Sequence, residues 1–134
     1  MLGHDAAYHR SAGDAELVRQ ALAEDRVLLT RDRDLLKRRP IASGLLRTVL
    51  LVDDHVDVQL RQVIDELELE TDLVLSRCLD CNLLLQPRGP DEIADRVPPH
   101  VRMTQVTYSE CPGCRRVYWA GTHWRHMHEA MARL

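Results

Sequence analysis

No apolar run in this 134-residue chain approaches the roughly 20 residues that a membrane-spanning helix requires, and 29% of the residues are charged. The opening Met-Leu-Gly-His-Asp has no basic stretch leading into an apolar one, so no secretory signal is expected. A soluble, cytoplasmic protein is the expectation. Bulk positive charge is also lacking. The net charge is −3, so any nucleic-acid contact has to come from local patches. There is no low-complexity tract and no internal repeat apart from two short cysteine turns.

Cysteine is scarce as well, with four in all, and their arrangement carries the strongest signal in the chain. They fall into two pairs, Cys78-x-x-Cys81 and Cys111-x-x-Cys114. In a reducing compartment such pairs point to metal rather than to disulfides. Each turn presents two sulfurs, and two turns complete the tetrahedral shell of a zinc ion. A closed shell of four thiolates leaves no position for water, so the zinc expected here is structural. The 29 residues between the pairs exceed the usual ribbon spacing of about 15–20, which calls for a longer hairpin or a short helix between them. A redox role is disfavoured, because redox pairs usually occur singly at a helix N-terminus, whereas Pro112-Gly113 makes a tight knuckle turn.

Composition divides the chain. Residues 1–75 carry 10 Lys/Arg against 15 Asp/Glu, and residues 76–134 carry 8 against 6. In the first part helix-like and strand-like segments alternate. Asp14 reads as an N-cap followed by Leu17, Val18, Ala21 and Leu22 on one helical face. V-L-L-T at 27–30 and T-V-L-L-V at 48–52 read as buried parallel strands. A charged helix is expected over 34–39, ending before Pro40. Another follows Asp53-Asp54, with Leu60, Val63, Ile64 and Leu67 at i, i+3, i+4 and i+7. A weaker third strand is expected near residues 5–9. The pattern predicts an α/β core with a thin parallel sheet, covered on both faces. From Arg77 onward prolines multiply and apolar runs thin out. This predicts a module over 76–134, nucleated by metal rather than by a core and closed by a helix over 124–134. His123, His126 and His128 are expected to be solvated or to face nucleic acid.

A second constellation is acidic. Asp32 and Asp34 follow the strand V-L-L-T, and ligands of parallel α/β sheets bind at the carboxyl ends of strands. Asp14 and Glu16 open the preceding helix and could converge on the same end. Clustered carboxylates need protons or a cation, and hard oxygen ligands select Mg²⁺ or Mn²⁺. Arg31, Arg33, Lys37, Arg38 and Arg39 stand beside them as phosphate contacts or as a solvated charge run. Spacing alone leaves Asp14 and Asp34 equally good as plain helix caps.

Several stretches together resemble a known family. They are G-H-D-A-A-Y at 3–8, D-x-E-L-V-x-x-A at 14–21, R-V-L-L-T-R-D-R-D-L-L at 26–36 and Gln59-Leu60. R-C-L-D-C-N at 77–82, Val97-Pro98 and C-P-G-C-R-R-V-Y-W-A-G-T-H at 111–123 complete the set. In this order they resemble the PIN-like RNase domain at the C-terminus of the Mut-seven exonuclease, over essentially the whole chain. The resemblance implies a PIN-like, three-layer parallel-sheet core over residues 1–75, followed by a Cys₄ zinc ribbon over 76–134. It implies Mg²⁺- or Mn²⁺-dependent cleavage of RNA, with Asp14, Asp32 and Asp34 as catalytic acids; Arg31 and Lys37, beside these acids, are the expected substrate contacts. It also marks a departure. Family members carry a strand, a helix and a leading aspartate before the G-x-D segment, and these are missing here. The expectation is therefore an N-terminally truncated core, weak or inactive as a nuclease, and the alternative is a catalytically dead RNA-binding or interaction module.

Overall fold

A computed structural model describes residues 2–71 and 76–131. They form two compact units, one of residues 8–69 and one that brings residues 2–7 together with 70–71 and 76–131.

The unit of residues 8–69 is built from α1 (Asp14–Ala23), β1 (Leu28–Thr30), α2 (Arg39–Ala42), β2 (Thr48–Leu50) and α3 (Val56–Leu67), with a 3₁₀ turn at Leu35–Lys37. Gly13, not Asp14, is the N-cap of α1: its carbonyl accepts the Glu16 and Leu17 N–H groups at 2.9 and 3.0 Å. Asp14 is the first helical residue, where a carboxylate favours the positive end of the helix dipole. The helix closes with Asp25 in the left-handed region (φ 51°) and Arg26 N–H donating to the Ala21 carbonyl at 2.8 Å, the bond pattern of a Schellman terminus. α3 ends in the same way, with Glu68 at φ 51° and Leu69 N–H on the Ile64 carbonyl.

The two strands run parallel, with Leu28 opposite Thr48, Leu29 opposite Val49 and Thr30 opposite Leu50. Buried Val18 and Ala21 of α1, Leu35 and Leu46 pack together with Leu28 and Ile41. The helix expected over 34–39 is replaced by the 3₁₀ turn and by α2, which starts at Arg39 and runs through Pro40. Proline at the start of a helix gives up an N–H that would have no partner there, so Pro40 opens a helix instead of ending one. The strand expected near residues 5–9 is not formed; those residues have no regular structure. Among the described residues the parallel sheet has two strands, and Leu29 stays 45% exposed. The side-chain amide of Gln62, on α3, bonds the exit of β2, donating to the Leu50 carbonyl (2.8 Å) and accepting from Val52 N–H (3.2 Å).

The other unit contains β3 (Gln86–Arg88), a 3₁₀ helix (Pro90–Arg96), α4 (Pro99–Thr104), β4 (Tyr108–Glu110), β5 (Val117–Trp119) and α5 (Thr122–Met131). The strands form an antiparallel sheet in the order β3-β4-β5. The stretch between the cysteine pairs thus holds both strand and helix. Contrary to expectation, this unit has a core of its own. Ile93, Val97 and Val101 recur every four residues along the 3₁₀ helix and α4 and bury against Tyr108, with Val117 and Trp119 packed on them. The Tyr108 hydroxyl, buried with its ring, donates to the Gln105 (3.0 Å) and Val101 (3.3 Å) carbonyls, so it brings no unpaired polar group into that core. The helix expected over 124–134 begins two residues earlier, at Thr122, and residues 132–134 lie outside the described ones.

Candidate metal centre

The two cysteine turns are built alike. In the first, Cys78 N–H donates to the Leu83 carbonyl (2.8 Å) and Asn82 N–H returns to the Cys78 carbonyl (2.9 Å). In the second, Cys111 N–H donates to Arg116 (3.0 Å) and Arg115 N–H to Cys111 (2.9 Å). Asn82 (φ 59°) and Arg115 (φ 64°) take the left-handed conformation at the same position of each turn. Asparagine tolerates it readily, arginine less so. Gly113 packs closely on the first turn: a Cβ there would lie 2.7 Å from Leu83 Cδ1, so the exposed Leu83 side chain would have to turn aside.

These turns bring the four Sγ atoms within 4.8 Å of one another. Cys78 and Cys114 Sγ are 3.6 Å apart. A zinc ion with about 2.3 Å Zn–S bonds sets tetrahedral sulfurs about 3.8 Å apart, so the residues fit the metal. Cys78 and Cys111 are buried, Cys81 and Cys114 exposed. The Tyr118 hydroxyl lies 3.2 Å from Cys78 Sγ and accepts Leu79 N–H at 3.3 Å. Burial pushes the Cys78 thiol up, yet the Tyr118 hydroxyl, the Cys81 and Asp80 N–H groups and the Cys111 thiol outweigh it and hold Cys78 down at about 6. Cys81 is pushed up to about 12, by Cys114 first and then by burial. Without an ion the four sulfurs cannot all ionise side by side, and a divalent cation removes that conflict. Burial, then the Cys78 contact, raises Tyr118 to about 12, so Tyr118 stays protonated and donates to the sulfur. An Arg116–Asp80 ion pair joins the two turns.

Beside Cys111 stands a residue that no spacing singles out. Glu110 is fully buried; its carboxylate accepts from Arg88 Nε (2.7 Å) and Arg96 Nη1 (2.8 Å) and forms an ion pair with Arg115 Nε at 2.7 Å. The Arg96 and Arg88 hydrogen bonds hold it down at about 2. The clamp ties β3, the 3₁₀ helix, β4 and the second cysteine turn to one carboxylate. A lone Glu in a short strand looks like a surface residue, which is why the sequence does not reveal it.

The first unit places the acids differently. Asp32 N–H donates to Thr30 Oγ1 (3.0 Å), and Asp32 Oδ1 accepts Asp34 N–H (2.8 Å), closing the turn that leaves β1. Asp34 pairs with Lys37 at 2.6 Å and Asp14 with Arg38 at 3.2 Å. Arg31 pairs with Asp54, which follows β2. Asp53, held below the usual carboxylate range by the His55 N–H and then the His55 ring, stands at the same strand exit. Arg31 and Asp32 thus follow the carboxyl end of β1, and Asp53 and Asp54 that of β2. Among the described residues, however, the cysteines form the only group of three or more metal-ligating side chains with mutually close ligand atoms. Asp14, Asp32 and Asp34 do not form another. His126 and His128 are exposed, and the side chain of His123 lies outside the described ones.

No helix among the described residues is long and apolar enough to cross a membrane. No curated protein and no solved structure matches the chain. The family model described as the Mut7-C RNAse domain matches residues 1–131. With that match spanning nearly its whole length, the chain belongs to the Mut7-C RNase domain family.

Proposed function

We propose that the chain is a ribonuclease of PIN-like type, hydrolysing RNA phosphodiesters at the carboxyl end of β1 and β2, with structural zinc in the Cys₄ centre of residues 78–114. Family membership together with the acids at that strand end carries this reading. Asp14, Asp32 and Asp34 are the carboxylates that would hold Mg²⁺ or Mn²⁺. Mg²⁺ is commonly bound through one or two carboxylates plus substrate phosphates, so an all-protein cage is not required. When bound, such an ion neutralises phosphoryl oxygens and lowers the pKa of water. Arg31 and Lys37, now paired with Asp54 and Asp34, would turn to the incoming phosphate and orient it. Asp32 is the pivotal acid, because its second carboxylate oxygen remains for the site while Oδ1 holds the turn.

Cleavage of single-stranded RNA by the purified chain with Mn²⁺ or Mg²⁺, compared with Ca²⁺, tests this. Asp32→Asn keeps the acceptor for Asp34 N–H, so it should lower cleavage about a hundredfold or more while leaving the fold intact. Equal cleavage by Asp32→Asn and wild type would remove the assigned site. A second reading is an RNA-binding module without catalysis. It is favoured by the ion pairs of Asp14 and Asp34, which already neutralise two of the acids. RNA binding with no cleavage under any of these metals would establish it instead.

A further inference from the structure

In the zinc-bearing unit, α4, β4, β5 and the start of α5 enclose a groove of about 500 Å³, within the range of small-ligand pockets. Both tryptophans of the chain, Trp119 and Trp124, line it, with Tyr118 and His100. Val101 and Val117 add apolar surface. No carboxylate lines it, although the chain holds 21 Asp and Glu. α4 carries Arg102 and no acid, and α5 carries Arg125 beside the single acid Glu129; Arg102 borders the neighbouring hollow that it shares with Asp91. Arg102 and Arg125 are exposed.

The aromatic walls are held in place before any ligand arrives. Trp119 packs on the Ile93 core, and its indole lies flush on Gly121, where a Cβ would stand 2.9 Å from Nε1. The Tyr118 ring is anchored through its hydroxyl at Cys78. Trp124 rests beside His128, ring centroids 4.7 Å apart. Rigid aromatic faces in a groove that no carboxylate of the described residues lines, with Arg125 exposed on the helix beside it, suit one ligand chemistry above others: a flat, uncharged base attached to a phosphate backbone.

We propose that this groove takes an unpaired nucleobase of single-stranded RNA, stacked on its tryptophans, with a flanking phosphate against Arg125. The proposal rests on the reading of the chain as RNA-directed, and it adds the place and the strandedness. Because the only two tryptophans both line the groove, intrinsic fluorescence reports on it directly. Titration of the zinc-loaded full chain with oligoadenylate RNA, without Mg²⁺ or Mn²⁺, should give saturable quenching. Trp124→Ala should weaken binding of fluorescein-labelled RNA about tenfold, the cost of losing one stacked base. Trp124→Phe should restore most of it, and unchanged zinc content and melting temperature would show the fold retained. AMP should bind far more weakly than the oligomer, and blunt duplex RNA should not quench. RNA binding with no quenching and no loss in Trp124→Ala would overturn the groove while leaving the RNA reading intact. Equal quenching by duplex RNA or by AMP would overturn it too. Quenching that follows protein concentration alone would assign the groove to a second copy of the chain. Absence of any RNA binding would sink the RNA reading and the proposal together.

Discussion

Tyr118, Glu110 and the cysteines show how much of this protein hangs on single side chains. A metal-bound sulfur is tuned by the group that hydrogen-bonds it, and loss of such partners typically weakens metal binding 10–100-fold. Tyr118→Phe should therefore lower zinc affinity in a competition assay with a chromophoric chelator, with one zinc per chain still bound at saturation. Cys81→Ser, by contrast, should abolish stoichiometric zinc. Glu110 has a folded-state value near 2 against about 4.5 unfolded. Its contribution is thus fully present above about pH 4.5 and is lost as the pH falls towards 2. Glu110→Gln leaves three arginines facing a neutral amide, so it should be less stable than wild type to urea at pH 6–7. The gap between the two should narrow below pH 4.5. A gap that does not change with pH would mean that the clamp acts by packing rather than by charge.

Among the elements, the helix ends are the most open to change. Asp25 and Glu68 both close helices in the left-handed conformation, which costs most L-residues roughly 1–2 kcal/mol and asparagine and aspartate less. Glycine is the usual occupant of that position. Asp25→Gly and Glu68→Gly should each stabilise the unit of residues 8–69, by roughly 0.5–1 kcal/mol in urea melts. Glu68→Gly should gain more, since aspartate tolerates this conformation better than glutamate.

Across the whole molecule, the four-cysteine centre lies in one unit and not in the other. The N-terminal residues belong to the unit that carries it: Arg77 Nε donates to the Gly3 carbonyl at 3.0 Å, and Asn82, inside the first cysteine turn, bonds Asp5 and Ala6. Structural zinc sites contribute roughly 10–16 kcal/mol of apparent binding free energy. Chelation should therefore release amide protection in residues 76–119 and in residues 2–7 together, by hydrogen exchange. Residues 14–67 should stay protected, because their core of Val18, Ala21, Leu35 and Leu46 uses no metal. Loss of protection in both units at once would show that they fold as one.

The sequence alone determined what depends on short-range pattern and on the chemistry of rare residues. Two C-x-x-C turns can present four sulfurs in only a few ways, so the metal centre was legible from spacing. Apolar runs beside amphipathic stretches marked both parallel strands and the two longer helices of the first unit. Where patterns were ambiguous, neighbours decided. Pro40 reads as a stop or a start until the chain before it is seen to turn. Asp14 is a cap or a first helical residue according to where Gly13 places its carbonyl. Residues 5–9 alternate weakly, and Asp5 and Ala6 find their partner in Asn82, 77 and 76 residues away in sequence. Glu110 is the clearest case of what only the tertiary structure decided. A carboxylate becomes a buried hub only when three arginines from separate segments converge on it, and no local sequence pattern encodes a convergence of that kind.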